Sequence, residues 1–291
     1  MKLRVLKYFL TVVHEENITR AAEVLHIKQP VLSRQMSQLE EELGVQLFVR
    51  GKHFKLTDAG VRLCCRAEEV ITLMKKIENE FGNQSEEGGI ISIGNSGLAD
   101  LTFLYSMMKR FREKYPKVQY ELNTNSSRYI IEHLEQGLLD FAVLPEPIDI
   151  TKFDYIRIKT KERFGLLVNM GHSLAEKEFI EKEDLLGMPL IMLSCESQQK
   201  KLERWMGEAF SGLNILAIYN MPTDIAFLLE RGGAAVAIEG MITYLDKSKI
   251  RFIPFDPELS VASVFVWKKC RSDLSIAAKF LYYIKSYMRE L

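Results

Sequence analysis

Between residues 18 and 44, Gln29, Pro30, Ser33, Arg34 and Ser37 recur at spacings that place them on one face of a short helix. An amide, two hydroxyls and a guanidinium on one face supply the donors and acceptors that meet base edges in the DNA major groove. Leu32, Met36, Leu39 and Leu43, spaced four, three and four, form the opposite, buried stripe. Pro30 suits the first turn because it has no N–H to leave unpaired there. Just before it, Ala21, Ala22 and Leu25 mark a helix whose small side chains let a neighbour cross closely. The pair reads as a helix-turn-helix whose second helix enters the groove. An ordinary amphipathic pair carries the same stripe, so the flanking residues decide.

Residues 45–60 hold two short β-prone segments around a tip of Gly51, Lys52 and His53. This describes a wing, with Arg50, Lys52, His53 and Lys55 offering charge to phosphates or the minor groove. Thr57 is a plausible N-cap for a long helix reaching Phe81. Along it Leu63, Ala67, Val70, Met74, Ile77 and Phe81 keep a heptad seam. Such a seam buries itself best against a second copy rather than against its own domain, since a helix after a complete winged domain has little left there to cover; two copies suit an operator of two-fold symmetry. The polar, Gly-rich residues 82–89 read as a hinge.

From residue 90 strands alternate with helices, which predicts a parallel-type sheet covered by helices. Apolar runs at 90–93, 118–122, 141–144, 164–168, 190–193, 215–219 and 236–238 are the expected strands. Helices are expected after the first two, near 198–210 and 223–231, and at 276–288. The break at Pro145-Glu146-Pro147 suggests a crossing into a second lobe. Ligands in such folds sit outside the carboxyl ends of the strands. There lie Asn95, Ser96 and Gly97 after one strand, and Asn125, Ser126 and Ser127 after the next; Ser194 and Thr223 would face them from the other lobe. Backbone N–H groups at such helix starts favour a carboxylate or other anion, although for any one Ser or Asn there the ordinary role is that of a helix cap. The expected division is a winged helix-turn-helix at 1–60, a linker and dimerisation helix with hinge at 57–86, and a two-lobed α/β domain at 88–291. Lobe I would span about 90–160 and 268–291, and lobe II about 161–267.

Formal net charge is zero, which argues against bulk-charge binding of nucleic acid while leaving room for a local basic surface. No apolar run approaches 18 residues, so no membrane span is expected. The apolar start resembles a leader, but Leu3, Leu6, Leu10 and Val13 follow helical spacing and predict a first helix. Cys64, Cys65, Cys195 and Cys270 form no CxxC pair, and the histidines are scattered. That pattern predicts reduced thiols in a cytoplasm, with no metal and no cofactor. Without G-x-G-x-x-G, P-loop or G-x-S-x-G there is no reason to expect an enzyme.

The sequence resembles the LysR-type transcriptional regulators along essentially its whole length. The resemblance is carried by Ala21-Ala22 with Leu25 and His26, by Gln29-Pro30 with Ser33, and by Leu39-Glu40 with Leu43-Gly44. Leu47-Phe48 with Arg50, and Leu56-Thr57 with Ala59-Gly60, complete the head. Phe111, Tyr115-Pro116, Gly137, Leu139-Asp140, Ala142-Val143, Gly171-His172 and Leu174 extend it. It implies a cytoplasmic regulator that binds a double-stranded DNA operator, forms dimers and dimers of dimers, and contacts RNA polymerase. It also implies a periplasmic-binding-protein-like domain sensing a small-molecule effector. Gln29, Pro30, Ser33 and Arg34 would then approach bases, and Lys28, Arg50 and Lys52 would take phosphates. The chain departs from the pattern in a wing one residue shorter, in Ser173 for a common Pro, and in Glu239 near another. A carboxylate at 239 near a cleft would suit a cationic or hydroxylated ligand, although an ordinary surface glutamate is the first expectation there. Two alternatives stay open: a thiol-based redox regulator using Cys195, and a solute-binding protein.

Overall fold

Leu6, Phe9 and Val12 share one stripe of helix α1 (Leu3–Glu15) and are buried against α2 (Ile18–Val24), α3 (Gln29–Leu43) and the long helix at 58–81. Asn17 caps α2, its Oδ1 accepting from Thr19 N at 2.8 Å and Arg20 N at 3.1 Å. Gly44, at φ +68°, ends α3 in the left-handed conformation that a glycine adopts without strain. Ala21, Ala22, Leu32, Met36 and Leu39 fill the core between the helices. Leu43 does not join them. It is 39% exposed, because the last turn of α3 runs past the helices that cover the earlier ones. The computed structural model describes residues 1–49, 54–81, 88–97, 101–147, 151–269 and 275–290, in two compact units, Met1–Gly82 and Asn83–Leu291.

The base of the wing is present as an antiparallel bridge between Phe48 and Leu56, with Val49 N donating to Lys55 O at 2.8 Å. Glu40 on α3 accepts from Leu47 N and Phe48 N, tying the wing to the helix. Thr57 caps α4 (Asp58–Phe81) through Gly60 N at 3.0 Å. The early part of the α4 seam is used at home. Ala67 is buried in the core of the first unit and Leu63 packs against it, because α1 crosses the first turns of α4. Val70 and Ile77 stay exposed at 42% and 51%.

In the second unit, β1 (Gly88–Asn95), α5 (Thr102–Lys114), β2 (Lys117–Thr124), α6 (Ser127–Gln136) and β3 (Phe141–Pro145) form a parallel β2-β1-β3 start. Strand β4 (Phe153–Asn169) follows, then β5 (Pro189–Leu193), α7 (Glu196–Met206), β6 (Asn214–Tyr219), α8 (Pro222–Glu230) and β7 (Ala234–Ile238). β8 (Ile250–Pro254), β9 (Ser260–Lys268) and α9 (Ile276–Glu290) complete the chain. The strand order is β2-β1-β3-β9-β4-β7-β5-β6, with β8 on β4.

The sheet is mixed rather than parallel: β9 runs antiparallel to β3 and β4, and β4 antiparallel to β7 and β8. Residues 260–267, expected in lobe II, therefore pair largely with lobe I. The passage between lobes is also not at the Pro145 break. It is made by β4, which shifts register between Arg157 and Lys161, and by β9 beside it. The first half of β4 carries Asp154, Arg157, Lys159 and Lys161, and this charge hid it from a search for apolar runs. One core clusters Phe111, Phe141, Phe265 and Phe280; another, in the second lobe, gathers Leu166, Ile191, Leu202, Ile225 and Val236.

Candidate DNA interface and effector cleft

On α3 the stripe toward the core is buried, and the opposite face is open. Lys28, Gln29, Pro30, Arg34 and Ser37 are exposed, with Ser33 half-buried between them. The N-terminal end of a helix held by the α1–α2 pair is the part that reaches base edges in helix-turn-helix proteins. Arg50, Lys52 and His53 lie outside the described residues.

In the second unit a cavity of about 590 Å³ opens between the lobes. One wall is made by Ser96 after β1 and by Ser126, Ser127, Arg128, Ile131 and Glu132 at the start of α6. The other comes from Leu193, Ser194, Cys195, Glu196 and Ser197 at the β5–α7 turn, and Tyr219 and Asn220 after β6, with Pro147 between the walls. Of the sequence candidates, Ser96, Ser126, Ser127 and Ser194 meet here. The other four serve elsewhere. Asn95 is buried and structural: its Nδ2 donates to Thr124 Oγ1 at 2.9 Å and its Oδ1 accepts from Gly97 N at 2.8 Å. Gly97 packs against Met221, and Asn125 Oδ1 accepts from Ser126 N. Thr223 is exposed on α8, beyond the turn that supplies Tyr219 and Asn220. The strand-end rule that selected residues 95–97 points equally to Glu196, Ser197 and Asn220, which follow β5 and β6.

Two features give the cavity its chemistry. The first turns of α6 and α7 both line it, and α7 has no side-chain cap, so backbone N–H groups are available to an anion. Among the described residues, the buried hydroxyls of Ser96 and Ser127 have no hydrogen-bond partner. Ser96 is 3% exposed. Arg128 is paired with Glu132, its Nε 3.1 Å from Oε1, and Cys195 Sγ lies 3.4 Å from Ser197 Oγ.

Glu239 is engaged elsewhere. Arg163 on β4 donates to its two oxygens at 2.9 and 2.7 Å, and this holds its carboxyl below the usual range against the opposing effect of burial. It is not among the cavity-lining residues, so the ligand alternative is not met and the side chain is a part-exposed glutamate in a bidentate ion pair with β4.

Residues 3–61 match the bacterial regulatory helix-turn-helix protein, lysR family, and residues 84–289 match the LysR substrate binding domain. The chain belongs to the LysR-type transcriptional regulators. This LysR-type chain is similar to the HTH-type transcriptional regulator YtlI of Bacillus subtilis (strain 168), 33% identical over 186 residues, covering 64% of this chain and 60% of that protein. YybE of the same organism is 27% identical over 296 residues and aligns along 100% of both chains. Full-length CbnR, crystallised with its target DNA, has a TM-score of 0.74 at 20% identity, covering 100% of this chain and 99% of that one. As a LysR-type regulator the chain joins a DNA-binding head to an effector-binding α/β domain, which sets aside the solute-binding alternative. No helix among the described residues is long and apolar enough to cross a membrane.

Proposed function

We propose that this regulator binds a two-fold symmetric operator and is controlled by a small organic anion held between its lobes. The observation that carries the ligand reading is the pair of unpartnered hydroxyls, Ser96 and Ser127, in a cavity bordered by two helix N-termini. Ser126, Ser194 and Ser197 add donors, and Ile131 and Leu193 offer apolar surface to a carbon skeleton. Gln29, Pro30, Ser33 and Arg34 read bases; Lys28, with Arg50, Lys52 and His53 of the wing, takes phosphates. Val70, Met74 and Ile77 on α4 pair two chains in a cytoplasmic protein. The edge strands β2 and β6, with Leu122, Leu216 and Ile218 exposed, supply a further face for a dimer of dimers. Effector binding shifts the balance between two arrangements of the lobes, and so DNA bending and contact with RNA polymerase.

A footprint and gel shift on the intergenic DNA beside the gene tests the first half; protection of an interrupted inverted repeat is expected. Thermal unfolding against a panel of aliphatic and aromatic carboxylates tests the second. At least one should raise the wild-type midpoint and leave Ile131→Trp, which fills the cavity, unmoved. A second reading, oxidation at Cys195, draws on its place in the cavity wall. Unchanged regulation by Cys195→Ser under peroxide would end it.

A further inference from the structure

Gln198 lies in the first turn of α7 and is fully buried, although Glu196 and Ser197 beside it line the cavity. Its Nε2 donates to the carbonyl of Glu146, across the lobes, at 3.1 Å, and to Ser197 Oγ at 3.3 Å. An amide nitrogen has two protons, and both are used. With one lone pair of Ser197 taken, its own O–H is left to point elsewhere, and Cys195 Sγ on the cavity wall is 3.4 Å away. Glu146 is itself anchored to both crossover strands. Its N–H donates to Ala262 O on β9 at 2.8 Å, and its carboxylate accepts from Arg157 Nε on β4 at 3.0 Å. One turn along α7, Lys201 Nζ donates to Ser260 O at 3.3 Å. The Oε1 of Gln198 has no partner among the described residues. A methionine would avoid that desolvation cost, so the donor end of the amide is what the position requires.

We propose that Gln198 is a positioning residue for effector binding: it aims the Ser197 hydroxyl into the cleft as a donor and ties that wall to Glu146 at the crossover. The proposal rests on the cleft being the effector site. An anionic acceptor on Ser197 makes its oxygen a better acceptor for Gln198, and the same amide holds Glu146. Filling the cavity thereby acts on the strands that join the lobes.

The test needs no effector. In the full-length chain, ketone-reactive spin labels on p-acetylphenylalanine at positions 121 and 203, exposed on β2 and α7, report the distance between the lobes by double electron–electron resonance. Gln198→Met keeps length and packing but removes both donors. It should shift population to longer distances, roughly fivefold for one lost hydrogen bond. Lys201→Met should shift it in the same direction. A distribution identical to wild type in a Gln198→Met chain that melts normally would overturn the proposal. Should that variant fail to fold, Gln198→Leu, which also removes the donor to Glu146, carries the test, with the same shift expected and no shift overturning it. Failure of the cleft reading is seen separately, as an Ile131→Trp chain that responds to carboxylates like wild type. That outcome removes the effector half of the proposal and leaves the measured tie.

Discussion

Arg34 stands exposed near the start of α3, on the face away from the core, where a guanidinium can grip a guanine or a phosphate. Arg34→Ala should weaken specific binding by about 1–3 kcal/mol while the fold is unchanged; gel-shift titration with operator and random DNA measures the ratio. Glu239 makes a pH argument. Arg163 depresses its pKa, so the pair contributes stability above the ordinary glutamate pKa of about 4.3. That contribution is lost as pH falls through the lower folded value. Both side chains are about two-fifths exposed, which keeps the effect small. In urea titrations the gap between wild type and Glu239→Gln should be open at pH 7 and narrow as pH falls below the ordinary glutamate value of about 4.3.

At the scale of elements, β4 is the strand on which both lobes depend. Gly165 lies on it between β7 and β8, and an added Cβ would run into the carbonyl oxygen of Ile253 and the ring of Phe252. Gly165→Ala should therefore destabilise by roughly 1–3 kcal/mol through overpacking, read as a lowered urea midpoint. Helix α4 divides its seam between two tasks, since Leu63 and Ala67 belong to the core of the head while Val70 and Ile77 face outward. The double change Val70→Asp and Ile77→Asp should lower the oligomeric state in sedimentation and weaken DNA binding while the melting of the head is kept.

For the molecule as a whole, each unit has a core of its own. The buried cluster of the head ends at Ala67, and those of the second unit begin at Ile91. Residues 83–291 expressed alone should fold, with a cooperative thermal transition by circular dichroism that matches one transition of the full chain. A fragment without cooperative melting would mean that the second unit depends on the head.

The sequence alone determined what short-range pattern can carry. The stripe of Leu32, Met36 and Leu39 marks the buried side of α3 and hence its open side, and Thr57 marks where α4 begins, because helix periodicity and capping act within a few residues. Alternating apolar runs likewise announced an α/β unit. Tertiary structure decided which strand-end side chains serve the cleft. Asn95 and Ser96 are neighbours of similar chemistry, yet one bonds across to Thr124 and the other opens into the cavity. Only the pairing of β1 with β2 separates them. The same holds for the passage between lobes: β4 and β9 meet across about a hundred residues of chain. No local propensity encodes that pairing, and a strand studded with Asp154, Arg157 and Lys161 becomes a strand only when its distant partner arrives.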